Sequence, residues 1–399
     1  MKKNRITGII WAGAASALII LLTLMSKDVS AGIRSSIEIC QGIVIPSLFP
    51  MIFAAVFLAE SGAAATIGRV LAPAARFLFG LPGEAGAAVL MAMLGGYPTG
   101  ASMIASLRER GAITGRQASR MALFCVSAGP AFLVSAVGAS LLGSVNLGLL
   151  LAGIQILCVI ILGIILNIYD SCFDKRNLSD ERTTRIGLKA EDASLEHPAF
   201  AEAVVKSAWK AASSMLMICV FVLLFGAVKA VLSGLGVMDM TEGALTRAGL
   251  SGHTAASLLP MMLEVVGGCI AAARGGIILL AFGIGFGGVA VHFQVFALLK
   301  NITFSKPAFF GFRALHGGLS ALLAWLLLPL VPDPAIPAAA MSGSRQLALP
   351  SATGAVLLLV LCLMFVLCLP NKSSPRPAPG FIEKRLLRRD FARRLKSSQ

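Results

Sequence analysis

An all-α polytopic membrane protein, with about eight transmembrane helices and two re-entrant helical hairpins in inverted repeats, is the fold class this sequence predicts. Three observations predict it. Of 399 residues, 57% are hydrophobic and only 13% charged, too few charges to cover a soluble chain of this size. Apolar segments recur at 6–26, 36–60, 84–107, 117–142, 146–168, 207–234, 254–274, 276–299, 310–331 and 352–370, and about 20 apolar residues suffice to cross a bilayer core of roughly 30 Å. The Lys and Arg residues lie mainly in the short segments between, where they set orientation.

Charge decides which segments cross. If all ten crossed and the N-terminus lay inside, 15 of the 34 basic residues would lie outside, against the positive-inside rule. If 84–107 and 254–274 instead enter and leave on one face, 28 basic residues lie inside and only Lys27, Arg34, Lys229, Arg247, Arg274 and Arg345 outside. This topology puts both termini in the cytoplasm and the chain in the plasma membrane as a multi-pass protein.

The elements follow in order. Residues 1–35 carry Lys2, Lys3 and Arg5 before an apolar run to Met25, read as a retained membrane helix, since the run exceeds a signal-peptide core. The first repeat, 36–168, contains the hairpin 84–107, interrupted by Gly95, Gly96, Tyr97, Pro98, Thr99 and Gly100, a string that a continuous helix resists. Its next span is broken at Ser127, Ala128, Gly129 and Pro130. A charged cytoplasmic linker covers 169–206. The second repeat, 207–331, contains the hairpin 254–274, interrupted at Glu264, Gly267 and Gly268, and a span broken across 283–288, with Gly287 and Gly288 at its end. An outer Pro/Ser/Gly loop follows at 332–350, a last membrane helix at 351–370 and a basic tail at 371–399. Phe381, Ile382, Leu386, Leu387, Phe391 and Leu395 form a stripe on that tail, which suits anionic lipid headgroups.

Several function classes are excluded. The net charge of +15 does not imply nucleic acid, because the basic runs lack interleaved aromatics. The eight cysteines include no CxxC pair and read as small packing residues, so no metal is expected. No Walker motif, HExxH or nucleophile-base pattern occurs, so neither an enzyme nor a cofactor is expected.

Paired interruptions in inverted halves point to a midplane solute site in transporters. The candidate substrate-binding residues are Tyr97, Thr99, Ser127, Glu264, His292 and Gln294. Thr99 reads as the N-cap of the second half-helix, whose free N–H groups suit an anionic or hydroxyl-rich ligand. Glu264 is a carboxylate at depth, which needs a partner or water, and it reads either as a functional group or as one satisfied by the hairpin backbone. A lone His in a bundle is more often a hydrogen-bonded packing residue than a ligand, so that His292 and His316 carry this alternative reading, and Arg313 reads as a helix anchor near the inner boundary.

The strings Leu94-Gly95-Gly96-Tyr97-Pro98-Thr99-Gly100-Ala101, Phe124 to Phe132 and Arg313-Ala314-Leu315-His316-Gly317 resemble the nucleoside-recognition (Gate) domain family. Within it, the chain is similar to the YlbJ-like sporulation integral membrane proteins over about residues 36–331. The resemblance implies a fold related to the inner part of concentrative nucleoside transporters and a role in forming the endospore. It supplies no substrate. The expected function is permease-like movement of a small polar solute during sporulation. The alternative is a non-transporting scaffold for spore envelope assembly that meets other sporulation membrane proteins.

Overall fold

The computed structural model describes residues 2–61, 63–173, 200–273 and 275–331. Every regular element among them is helical. Among the described residues, five helices are long and apolar enough to cross a membrane, six if the bent pair Gly68–Phe79 and Gly83–Gly95 counts as one span. Their outward side chains include Leu149, Leu157, Ile165, Val220, Leu224, Leu322 and Trp325. In water that apolar surface would drive association, whereas in a bilayer it is the lipid-facing side. The chain is a polytopic membrane protein, all-helical among the described residues.

Helix α1 covers Lys2–Leu24, α2 Ser26–Ile39 and α3 Ile45–Glu60, with a π-helical stretch, Cys40–Val44, joining the last two. The span expected from residue 36 therefore begins at Ser26 and runs without a stop to Leu58. The cause is packing against helix α9 (Phe200–Gly234). A Cβ added to Gly32 would stand 2.8 Å from Ala230 Cβ and 2.9 Å from Gly226 O, the close approach that small residues four apart permit. Helix α4, Ala63–Phe79, occupies a stretch that carries no span-length apolar run, because Arg69 and Arg76 interrupt it. It meets α5 (Gly83–Gly95) at 89°.

Helices α5 and α6 (Tyr97–Glu109) form the first hairpin. A Cβ on Gly100 would lie 3.0 Å from Ala92 Cβ, although eight residues of straight helix would separate them by about 12 Å. The chain then passes through α7 (Gly115–Phe124), an unwound segment at 125–129, a π-helical stretch at Phe132–Leu141 and α8 (Val145–Phe173). Thr114 and Gln117 make a capping box at the start of α7, which fixes where that helix begins.

After α9 comes α10 (Val237–Arg247), then the second hairpin, α11 (Gly252–Leu263) and α12 (Val265–Ala272). Ser257 Oγ donates to Ala271 O across it at 2.7 Å. Helices α13 (Ile277–Phe286) and α14 (Gly288–Leu298) are separated at Gly287, and α15 (Lys306–Leu327) ends in a 3-10 turn, Leu328–Leu330. Both halves thus run through long helix, short helix, hairpin, interrupted helix and long helix in the same order.

The breaks are narrower than the Gly/Pro strings suggest. Gly95 closes α5, Gly96 alone is non-helical, and Pro98 and Gly100 lie in the first turn of α6. Gly129 is unwound, while the helix resumes at Pro130. Gly267 and Gly268 sit inside α12, and the second hairpin turns at Glu264 itself, in extended backbone (φ −149°, ψ 125°). A carboxylate that caps a helix start needs non-helical backbone at its own residue, so the turn falls there rather than at the glycines.

Contacts sort the helix ends. Arg120 Nη1 pairs with Asp170 at 2.7 Å, and its Nη2 donates to Phe79 O and Gly80 O. Arg108, Gly115, Arg116 and Ser119 line one groove with Asn301, Ile302 and Thr303. Lys210, in the N-terminal third of α9, pairs with Glu60 at the end of α3, 2.6 Å. The first hairpin opens at this end, which is rich in Arg and Lys. The far end of α9 lies beside Met25, where a Cβ on Gly234 would overlap Met25 Cε. The second hairpin follows from there and opens at that opposite end. Most of the 169–206 linker, the 332–350 loop, the helix at 351–370 and the tail at 371–399 lie outside the described residues.

Candidate functional site

Each hairpin tip beds on an interrupted helix of its own half. At the first, Gly96 has φ 81° and ψ −169°, backbone that glycine adopts without a Cβ clash. It lies against Gly129, where an added Cβ would stand 2.8 Å from Leu94 O and 3.0 Å from Gly96 N. A Cβ on Gly100 would stand 2.5 Å from Cys125 O. Glycines here serve as contact surfaces between two turns of backbone.

At the second tip, Glu264 caps α12, accepting from Val266 N at 2.7 Å and Gly267 N at 2.6 Å. This satisfies two of the orphan donors at a helix start and places a negative group at its positive end. Gly288, with φ 72°, closes on this turn, and a Cβ there would lie 3.1 Å from Val265 N. Glu264 also lines a small cavity with Ser36, Lys229 and Gly267. Its volume, about 20 Å³, is room for about one water.

The two halves are tied together at the α13–α14 break. The Tyr97 hydroxyl donates to Ile284 O, 187 residues away. Arg313, fully buried on α15, donates through Nε to Phe286 O at 3.0 Å, through Nη2 to Gly285 O and through Nη1 to Val126 O. It also lies 6.0 Å from the centre of the Tyr97 ring. Beyond it, His316 Nε2 meets Gln155 Oε1 at 2.9 Å, and Gln155 Nε2 donates to Ser320 Oγ at 3.0 Å. A buried polar network thus connects α8, α15 and both interrupted helices.

The sequence-derived candidates are only partly gathered here. Tyr97 and Glu264 stand at the tips, and Ser127 is buried with its carbonyl facing Gly96. Thr99 does not cap α6. The cap position is Gly96, without a side-chain bond, and the Thr99 hydroxyl turns back to Gly95 O at 3.1 Å. His292 is buried with Nε2 2.9 Å from Phe286 O, its ring edge-on to Phe286, Phe309 and Phe310, so it reaches the break only through that carbonyl. Gln294 is buried two residues further along α14. Arg313 is no boundary anchor; it is the central cross-link. Lys229, Gln155 and Ser320 also belong to this interior, and nothing in their local sequence marks them.

Comparison with known proteins agrees with the motifs that Tyr97, Pro98, Thr99 and Gly129 carry. No solved structure matches the chain. It is 27% identical over 315 residues, 74% of this chain and 76% of the relative, to the sporulation integral membrane protein YlbJ of Bacillus subtilis (strain 168). Residues 43–145, from the π-helical stretch within the Ser26–Leu58 span through the first hairpin and interrupted helix, match the Gate family of nucleoside recognition.

Proposed function

We propose that the protein is a sporulation-associated membrane protein that moves a small polar solute, with the site between its two hairpin tips. One observation carries this reading: hairpins opening at opposite ends both seat against the α13–α14 break, one through Tyr97 and one through Glu264 and Val265. Inverted hairpin repeats of this kind bind solute near the bilayer midplane and alternate access by moving one unit against the other. The sporulation role follows from similarity to the Bacillus subtilis protein.

The orientation proposed is the end bearing Arg108, Arg116, Arg120 and Lys210 toward the cytoplasm of the plasma membrane. Single cysteines placed at Arg110 and at Leu250, in a background without native cysteines, test it. The first should resist an impermeant external thiol reagent and the second should react.

A second reading is favoured by the tightness of the centre, where the Glu264 cavity admits about one water. A scaffold for spore envelope assembly needs no path for solute, and would meet other sporulation membrane proteins and anionic lipid through its tail. Uptake into proteoliposomes by full-length and 1–370 proteins separates the two. A carrier should keep its uptake after the truncation, whereas a scaffold should show none in either form and should lose its sporulation function with the tail.

A further inference from the structure

The Arg313 guanidinium is fully buried, and among the described residues it makes no ion pair. The groups that meet it are carbonyl oxygens, an imidazole and the Tyr97 ring. A lone charge in such a place is strongly unfavourable unless something offsets it.

The offset comes from the helix ends. Gly285 and Phe286 are the last residues of α13, so their carbonyls lack partners within the helix. Val126 lies two residues past the end of α7. A helix C-terminus carries roughly half a negative charge, so two of them converging on one point offset about one positive charge. On the far side, His316 Nδ1 stands 3.5 Å from Nη1. It must accept from the guanidinium, which makes Nε2 the protonated nitrogen, donating to Gln155. The shell around the cation is therefore built from acceptors aimed inward.

Unwound carbonyls and helix C-terminal ends inside interrupted membrane helices are the groups with which transporters coordinate small cations. We propose that Arg313 is a tethered cation filling such a place. The two interrupted helices are then held without soluble sodium or potassium, and removing the side chain leaves a site that accepts a free guanidinium-type cation. Arg313 does this whether or not a solute is moved.

Thermal unfolding of the full-length protein in detergent tests the assignment. The wild-type midpoint should be the same in sodium, potassium and choline chloride at equal ionic strength. Arg313→Ala should unfold at lower temperature and regain part of the loss in millimolar methylguanidinium, with no gain from equimolar urea. Arg313→Lys, which keeps the charge, should fall between wild type and the neutral Arg313→Gln, and this comparison decides the matter if the alanine variant cannot be purified. Stabilisation of the wild type by sodium or potassium over choline would overturn the proposal. So would an alanine variant that ignores methylguanidinium, or a glutamine variant at least as stable as the lysine one.

Discussion

Replacing Gly288 with alanine should lower stability by about 2–6 kcal/mol, measured as a fall in the thermal midpoint of the purified protein. Two costs combine. Its φ of 72° is a left-handed conformation that strains a residue with a side chain by about 1–3 kcal/mol. The new methyl would also stand 3.1 Å from Val265 N and 3.3 Å from Met261 O, and overpacking against backbone costs typically about 1–3 kcal/mol. Gly318→Ala is the matched control. Gly318 lies within α15, and nothing surrounds its Cβ position within 4 Å. A methyl there should be neutral or raise stability by about 0.5–1 kcal/mol through helix propensity. Equal responses at the two positions would mean that the second hairpin does not close on the break.

Glu264→Gln should separate the observed role of this carboxylate as a cap from its proposed role in a solute site. As a cap it accepts two backbone N–H bonds. Glutamine keeps one acceptor oxygen, so the stability loss should be about 1 kcal/mol, within the usual range for a changed cap. As part of a solute site it offers charge beside Lys229 and Ser36, and glutamine removes that charge. Uptake should fall at least about tenfold, the equivalent of about 1.4 kcal/mol in binding. Uptake unchanged beside a lowered midpoint would assign Glu264 to the hairpin alone.

The sequence was most legible where backbone chemistry is local. Gly96 beside Pro98 cannot sit mid-helix, and Gly129-Pro130 and Gly287-Gly288 announce their own interruptions. Charge placement was legible too, because Arg108, Arg116 and Arg120 belong to a single end of the bundle and their distribution follows a one-dimensional rule. Helix α4 escaped notice because Arg69 and Arg76 break its apolar run while leaving a helical stripe. The early start at Ser26 was hidden by Lys27, Asp28, Arg34 and Glu38, although Gly32 and Ser36 facing Gly226 and Ala230 is a spacing that could have revealed it. The role of Arg313 was out of reach, since its three carbonyl acceptors lie 27, 28 and 187 residues away and are main-chain atoms, which leave no trace in residue identity.

Four residues, Gly285 to Gly288, receive both tips: Tyr97 and Arg313 hold one side of this segment, and the Glu264 turn leans on the other. Such a segment cannot draw away from one neighbour without pressing into the second. Two doorways that share one doorpost obey the same constraint, and a gap on one face comes with a tighter seal on the other. If the protein moves a solute as proposed above, this coupling is what would guard the bilayer against a continuous aqueous leak.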